Sequence, residues 1–373
     1  MRAIAGLTDS GRAEEAIGLS REALRQLAEA YGQVDDSDGV LGTLVSGLGE
    51  AHLAACRAAP ADPDDLAHWL VAQALGELGE LVDIEPHDYE EVLGTQGIAK
   101  VRELALAAWR DRPHGWAEKD LMERLARVAG EVDAVIALYA ADLDPDGSTH
   151  GAIARELDAA GRPDEALSWA ERGLAETPSP ADRSLELIEY LCARYARGGR
   201  LAAAVELRRG YFAAHRTLAA YQQLREAARA ADVWPAEREH ALAALRAEAA
   251  AHGGNRYRGP VLVDALLDDE ALGAAWQAAT ECGADDTQWL VLADRVRATR
   301  PGDALDVYLR LVEPLTRRTG APVYERLTSL ILSIRDCHRG LGEEEAFAEY
   351  VTALRADQRR KRNLMAMLDA HGL

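Results

Sequence analysis

The chain has 373 residues, of which 48% are apolar but only 5% are aromatic. It is long enough for one large or two ordinary globular units, whose core must consist mostly of Ala, Leu and Val. Its formal net charge of −21 argues against a general affinity for nucleic-acid backbones or anionic membranes.

The residue pattern favours helices throughout. Ala and Leu are strong helix formers, and no stretch alternates β-branched and polar residues as a strand would. No apolar run approaches the roughly 18 residues of a membrane span, and the N-terminal MRAIAGLTDSGR has no apolar core of signal-peptide length. The cysteines form no C-x-x-C pair, since they stand far apart at Cys56, Cys192, Cys282 and Cys337. We therefore expect a reduced, cytoplasmic, all-α protein with no membrane partner.

The first helical pair is predicted to be incomplete. A turn at Ser10-Gly11-Arg12 opens the second helix of a hairpin, so its partner has only Met1 to Leu7 available. We expect a whole first helix to be missing, either because an ancestral chain continued upstream or because this sequence begins late.

Four further helices are predicted before residue 141. They are Leu41–Ala58, Pro63–Leu81, Val101–Arg110 and Lys119–Ala140. Repeats are hard to see here, but these helices indicate stacked helical pairs. We take residues 1–141 as an N-terminal helical-repeat half.

The stretch AGRPDEALSWAERGLAETP, residues 160–178, contains the best-defined repeat. Gly161 can end one helix, and Pro163 suits the first turn of the next because its missing N–H costs nothing there. Upstream, STHGAIARELDAAG supplies a partner helix. Together they form a helix–turn–helix unit of about 34 residues, the length of a tetratricopeptide repeat.

The same pattern recurs along the chain. It returns around Ala16, Ala204 and Ala304, and more loosely around Ala241, Ala271 and Ala346. A spacing that drifts between 30 and 42 residues after Ala166 is typical of a degenerate solenoid. The sequence thus predicts an α-solenoid of tetratricopeptide-like helix–turn–helix repeats. Residues 142–373 form its C-terminal half, with breaks at 142–151 and 252–260 and a basic final helix.

Five stretches of the sequence, taken together, resemble those of one protein family. They are QVDDSDG (33–39), EAHLAACRAA (50–59), EALSWAERGLAETP (165–178), DALDVYLRLVEPLTRRTG (303–320) and QRRKRNLMAMLD (358–369). Together, from about Gly11 to Asp369, they resemble the helical region of actinobacterial SWIM zinc-finger proteins. The zinc motif of that family, C-x-C followed by C-x-H, is absent, which argues against zinc and zinc-dependent nucleic-acid binding. In the family the finger precedes this region, which fits the expected missing upstream helix. The helical part of the family has no defined activity, so the resemblance implies architecture and kinship more than function.

Two acidic loops partly match an EF-hand calcium loop. Asp142–Gly147 (DLDPDG) offers oxygen ligands at positions 1, 3 and 5, but Ile153 stands where a bidentate Glu closes the site. Val34–Gly39 (VDDSDG) fails at both ends, with Val34 at position 1 and Val45 at position 12. We expect the acids of both loops to cap the following helices.

His52 and Cys56 stand four residues apart on one predicted helix, a spacing that can present two metal ligands. No second pair is visible, and Cys337-His338 cannot be linked to them from sequence. We expect Cys56 to lie on a buried helix face, and we predict no metal and no cofactor.

The motifs of nucleophilic and nucleotide chemistry are missing. There is no G-x-S-x-G elbow and no dinucleotide fingerprint, and GTQGIAK (94–100) lacks both the P-loop spacing and a preceding strand. We predict no catalytic residue, although an enzyme whose site assembles from distant residues stays open as an alternative.

A basic run, Arg359, Arg360, Lys361 and Arg362, stands out in so acidic a chain. It could contact an acidic partner or nucleic acid, or it could form a basic final helix braced by neighbours such as Glu343–Glu345. No aromatic residues interleave with it to stack on bases, which disfavours nucleic acid. We expect bracing, and we keep these four residues as the candidate partner-binding site.

Taken together, these features predict a non-catalytic helical-repeat scaffold for protein–protein or peptide interaction, with a regulatory role open. Stacked helical pairs leave a groove for a peptide, and the net charge favours a partner with basic patches. The alternatives are a nucleic-acid-associated regulatory protein that uses the C-terminal basic helix, and the enzyme described above. The oligomeric state is not determined by the sequence.

Overall fold

The computed structural model describes residues 1–31, 40–59, 61–76, 85–113, 115–255 and 257–373. Within these ranges every regular element is a helix, apart from one isolated antiparallel bridge between Asn255 and Arg258. The predicted all-α class is confirmed.

The chain divides into two compact units, unit 1 (Met1–Leu191) and unit 2 (Cys192–Leu373). The helices of unit 1 are α1 (Arg2–Asp9), α2 (Ala13–Tyr31), α3 (Val40–Ala58), α4 (Pro63–Ala74), a 3-10 helix (Pro86–Tyr89), α5 (Glu90–Asp111), α6 (Trp116–Val128), α7 (Val132–Ala140), α8 (Ser148–Ala159) and α9 (Pro163–Glu176). The division point lies in α10 (Leu185–Arg197).

The remaining helices belong to unit 2. They are α11 (Leu201–His215), α12 (Leu218–Ala230), α13 (Trp234–His252), α14 (Val261–Asp268), α15 (Leu272–Cys282), α16 (Asp286–Val296), α17 (Pro301–Thr316), α18 (Ala321–Leu341), α19 (Glu344–Gln358) and α20 (Arg362–Ala370).

Within each unit, helices pack chiefly against their neighbours in sequence. In unit 1, α2 packs on α3, α4 on α5 and α8 on α9, and in unit 2, α11 packs on α12 and α17 on α18. Leu, Ala and Val supply most of the buried side chains between them. Such helical hairpins, following one another along the chain, form the predicted tetratricopeptide-like α-solenoid.

A recurring turn sets where the repeat helices begin. One residue in the left-handed conformation ends a helix, a single linking residue follows, and the next helix starts. The left-handed residues are Gly11, Gly130, Gly161, Gly199, Asp232, Glu270 and Gly342. The linking N–H donates to a carbonyl five residues earlier, as from Arg162 to Leu157 (2.8 Å), and this bond closes the preceding helix.

The fourth residue of the helix after this turn faces the core. These residues are Ala16, Val135, Ala166, Ala204, Glu237, Ala275 and Phe347. All are buried except Phe347, which is half-buried. In α17, which starts without a left-handed residue, the fourth residue Ala304 is buried as well. The position of the turn therefore determines which residue faces the core, whereas the type of residue at that position varies.

Three of the predicted repeat alanines do not occupy this position. Ala241 is buried but lies one helical turn beyond Glu237. Ala271 is the linking residue before α15, and Ala346 is exposed. The sequence register was wrong at these sites because the turn places Glu237, Ala275 and Phe347 at the core-facing position instead.

Some predicted helix boundaries also differ from the structure. The helix expected over 119–140 is broken, because Gly130 adopts a left-handed conformation (φ 68°) between α6 and α7. α4 ends at Ala74, and residues 77–84, within which its predicted end falls, lie outside the described residues. The first helix is not missing, since α1 is present in short form and packs on α2 with Ile4 buried.

The predicted boundary between the N-terminal and C-terminal halves, after residue 141, lies between α7 and α8. These two helices pack against each other inside unit 1. Across the described ranges, no helix combines the length and the apolarity that crossing a membrane requires.

The two turns with a non-glycine residue in the left-handed position give a first testable prediction. Glu270 has φ 58°, a conformation that strains any residue with a Cβ. Replacing it with Gly (E270G) should raise the free energy of unfolding by about 0.5–1 kcal/mol, as measured by urea unfolding. The reverse change, G161A, is the matched control, because a Cβ at Gly161 meets no atom within 4 Å and only strain opposes it. Stabilisation by G161A, or destabilisation by E270G, would contradict the turn rule.

Candidate interaction surface

The predicted His52–Cys56 pair lies in a buried polar cluster of unit 1. His52, on α3, has no exposed surface. Arg21 donates its Nε–H to His52 Nε2 (3.1 Å), so the ring proton of the neutral imidazole lies on Nδ1 and is donated to the Tyr89 hydroxyl (3.0 Å). Tyr89 in turn donates to the Gly49 carbonyl (3.3 Å). Both ring nitrogens are therefore occupied by protein groups.

The electrostatics of this cluster keep the His52 imidazole and the Cys56 thiol neutral. Burial and the nearby Arg21 charge lower the pKa of His52 to about 3, and burial raises the pKa of the Cys56 thiol to about 11. Trp69 stacks on the imidazole with 4.0 Å between ring centroids. Arg21 also pairs with Asp65 (2.7 Å). The expectation that Cys56 lies on a buried helix face is confirmed, and the cluster ties α2, α3 and α4 together.

The Asp142–Gly147 loop caps α8. Asp146 Oδ1 accepts the Ser148 N–H (2.9 Å), and the Asp144 carboxylate accepts the hydroxyls of Ser148 (3.2 Å) and Thr149 (2.6 Å). Ile153 is fully buried in the helix core. Asp146 thus satisfies the first N–H of α8, as the predicted capping role requires, although the N-cap residue itself is Gly147. Val34–Gly39 lies outside the described residues.

The other sequence motifs form parts of helices. Cys337 and His338 are buried in α18, where His338 Nδ1 lies 3.3 Å from the Glu343 carboxylate. GTQGIAK belongs to α5, which has a non-helical residue at Gly94. Within the described part of the chain, no group of three or more His, Cys, Asp or Glu side chains is arranged to hold a metal ion.

The four basic candidate residues form a turn between α19 and α20, which we call the basic turn (Arg359–Arg362). The predicted basic final helix is wrong, because α20 begins only at Arg362 and its later residues carry no Arg or Lys. Arg359, Arg360 and Arg362 are exposed. Among the residues that the structure describes, none of these arginines forms an ion pair, so the expected bracing by Glu343–Glu345 is not formed.

Lys361 plays a different part from its neighbours. Its amine donates to the carbonyl oxygens of Thr316 and Arg318 (2.8 Å to the latter), at the C-terminal end of α17. A cation is favourable there, because the final carbonyls of a helix lack intrahelical partners. Lys361 thereby fastens the basic turn to residues 316–318 and brings the exposed Arg318 beside it. The doublet Arg317-Arg318 was missed in the sequence, although LTRRTG carries it.

A second feature missed in the sequence is an open pocket beside α17. It has a volume of about 280 Å³, and we call it the Trp289 pocket; its lining residues are Ala284, Asp286, Trp289, Arg310, Glu313 and Pro314. Trp289 is half-buried, with the Arg310 guanidinium 4.7 Å from its ring centroid and the Trp276 ring edge-on at 5.4 Å. Pro314 has no N–H, so the Arg310 carbonyl cannot receive its usual helical bond.

The Trp289 pocket and the basic turn are connected along one helix face. Arg310, Glu313 and Pro314 lie on α17, and Arg317 is its C-cap residue with helical dihedral angles. Their i, i+3, i+4 and i+7 spacing places all four on the same side. From Arg310 to Arg317 the helix advances by about 10 Å. Arg317 pairs with Glu313, and both side chains are largely exposed.

Comparison with known proteins identifies no family for this chain. No protein-family model matches the chain, and no curated protein is significantly similar to it. Among solved structures, the human IFIT1 dimer with m7Gppp-AAAA is similar at a TM-score of 0.26 and 12% identity, over 94% of this chain and 88% of that chain. The human IFIT1 dimer with PPP-AAAA gives a TM-score of 0.26 and 12% identity, over 96% and 88%. Similarity at this level carries no argument, and the helical-repeat fold rests on the helices themselves.

Proposed function

We propose that this protein is a non-catalytic scaffold that binds an acidic segment of a partner protein through the basic turn. The observation that carries the proposal is the exposure of Arg359, Arg360 and Arg362 without an acidic partner in the described part of a chain with net charge −21. Elsewhere, arginines such as Arg162 and Arg209 hold carboxylates at 2.6–2.8 Å.

The chemistry of the arginine side chain supports an acidic partner. A guanidinium is a planar donor that matches a carboxylate with two parallel hydrogen bonds. Lys361 fixes the turn that presents three of these groups, so less conformational entropy is lost on binding. The net charge predicted a partner with basic patches. We assign such a partner to the acidic remainder of the surface and not to the basic turn.

Kinship with the helical region of SWIM zinc-finger proteins and a cytoplasmic location belong to the same proposal. All four cysteines are free thiols, which agrees with a reducing compartment. A regulatory role for the scaffold is part of the same proposal.

Nucleic acid is the second candidate for the same surface, because exposed guanidinium groups also attract phosphates. The acidic remainder of the chain opposes it, since a phosphate backbone long enough to pass the basic turn meets repulsion beyond it. The two candidates are separated by the choice of probe.

Binding of short labelled probes tests the proposal by fluorescence anisotropy. The probes are a fluorescein-labelled peptide rich in Glu and Asp, a Lys-rich peptide of the same length and a single-stranded RNA. The wild-type protein should prefer the acidic peptide, and R359E/R360E/R362E should weaken that binding at least about tenfold, because several charge pairs are lost together. Affinity should also fall with added salt.

A matched control is available in unit 2. Arg197, Arg229 and Arg246 are exposed on α10, α12 and α13, and R197E/R229E/R246E changes the net charge by the same amount. This control should bind the acidic peptide like wild type. Equal losses in both triple variants would show only a general charge effect and refute the proposal, whereas tight binding of the RNA alone would establish the second candidate.

A further inference from the structure

We infer that the acidic partner segment also carries one apolar anchor residue, and that this anchor fills the Trp289 pocket. The inference rests on the proposed function and adds the form of the partner: an amphipathic acidic segment that lies along α17. The anchor occupies one end of this path, and the acidic residues reach the basic turn at the other.

About half of the pocket lining is apolar and offers an apolar side chain a surface to pack on. Its apolar walls are the half-buried Trp289 ring, the Pro314 ring and the buried Ala284. A volume of about 280 Å³ is sufficient for one large side chain. Trp and Arg are among the residues that most often dominate binding energy, and both line this pocket.

Arg310 is the lining residue that favours an acidic residue next to the anchor. The Arg310 guanidinium lies over Trp289, and within the described residues it has no acidic partner. Of the two carboxylates at the rim, Glu313 is neutralised by Arg317. The other, Asp286, lies in the first turn of α16, where the helix dipole favours a negative charge.

The distance along α17 sets the spacing within the partner. Arg317 stands about 10 Å from Arg310, a span that about three residues of extended chain cover. An acidic residue three or four positions from the anchor therefore reaches the Arg317–Arg318 doublet and the adjoining basic turn. Arg317 keeps its pair with Glu313 in the bound state, so Arg318 and the basic turn hold the acidic residue of the partner.

Three labelled peptides test this form of recognition by anisotropy with the full chain. The first has a leucine followed by glutamates three and four positions later, the second replaces that leucine with serine, and the third keeps the composition but places leucine and glutamates at opposite ends. The leucine peptide should bind wild type about tenfold more tightly than the serine peptide. The third should bind no better than the serine peptide.

Arg310→Glu is the variant of choice, because Arg310 is exposed whereas Trp289 also packs on Trp276. It should abolish most of the advantage of the leucine peptide, and Arg246→Glu should leave that advantage intact. Trp289 gives a second readout, since its emission should change with the leucine peptide and not with the serine peptide.

The failure of this inference is distinguishable from that of the proposed function. Equal binding of the leucine and serine peptides to wild type, with both weakened by R359E/R360E/R362E, would overturn the anchor and leave the proposed function standing. If R359E/R360E/R362E weakened neither peptide, the proposed function and this inference would both be refuted.

Discussion

Lowering the pH from 7.5 to 5 is expected to cost unit 1 about 2 kcal/mol of stability through His52 alone. The pKa of this buried imidazole is lowered to about 3 by burial and by Arg21, against an ordinary value of 6.5 in the unfolded chain. The unfolded state therefore takes up a proton first. The stability is fully present above pH 6.5 and is lost progressively as the pH falls towards 3. Protonation would place a second cation beside Arg21, where Nε2 now accepts its hydrogen bond.

Hydrogen exchange resolved by mass spectrometry measures this loss in the full chain. After correction for intrinsic rates, peptides from α3 and α4 should lose more protection at pH 5 than the effects of the remaining titratable groups account for. The matched variant is H52Q, which keeps one donor and one acceptor but does not titrate. It should be less stable than wild type at pH 7.5, yet its loss between pH 7.5 and 5 should be smaller by about 2 kcal/mol. Identical pH dependence in both proteins would refute the role assigned to His52.

Removing the Asp269 carboxylate should destabilise unit 2 by about 3–5 kcal/mol, the range for breaking a buried ion pair. This side chain is only 4% exposed. It accepts the Tyr221 hydroxyl (2.7 Å) and pairs with Arg238 (2.5 Å) and Arg225 (3.1 Å). Burial opposes the charge of Asp269, but the hydrogen bonds from these three partners outweigh it and lower its pKa. D269A would leave two guanidinium groups and a buried hydroxyl without this acceptor.

Urea unfolding of the full chain measures the effect, with D303A as the control. Asp303 is half-exposed and pairs with Arg300 at 3.4 Å, so its loss should cost less than about 1 kcal/mol. D269N, which keeps an acceptor but no charge, should fall between the two. A cost for D269A no greater than that for D303A would show that the cluster does not hold α12 and α13 to the turn after α14.

The local signals of the sequence were sufficient to predict the turn and the helix within residues 160–178. Gly161 and Pro163 stand where the chain must change direction, and α9 begins at Pro163 as predicted. Ala166 is buried and Thr177 ends the helix. Each of these features depends on the conformational preference of one residue, which the sequence shows directly.

The repeat register in unit 2 could not be obtained in the same way. Asp232 and Glu270 occupy the left-handed position that Gly takes elsewhere, so the turn signal is absent from the sequence at those sites. Glu237 then takes the buried position, where its charge is compensated by Arg209 (2.7 Å). A pattern based on apolar residues cannot recognise a buried glutamate whose partner lies 28 residues away.

The candidate surface was found in the sequence only in part. The basic turn was visible as a run of charges, but its separation into one anchoring lysine and three exposed arginines depends on contacts that Lys361 makes 43 and 45 residues away. The Trp289 pocket combines residues of α16 and α17 with Ala284, and no local pattern links Trp289 to Arg310.

The melting temperature of R359E/R360E/R362E is the most direct test of the central claim, that these arginines serve binding and not the fold. Exposed side chains without ion pairs contribute little to stability, so the variant should melt within about 2 °C of wild type while losing the acidic peptide. K361M, which removes the cation at the end of α17, should melt clearly lower and shows the size of a structural effect. If the arginine variant melts as low as K361M, and its binding falls only in proportion to unfolding, the three arginines are part of the fold and the claim is contradicted.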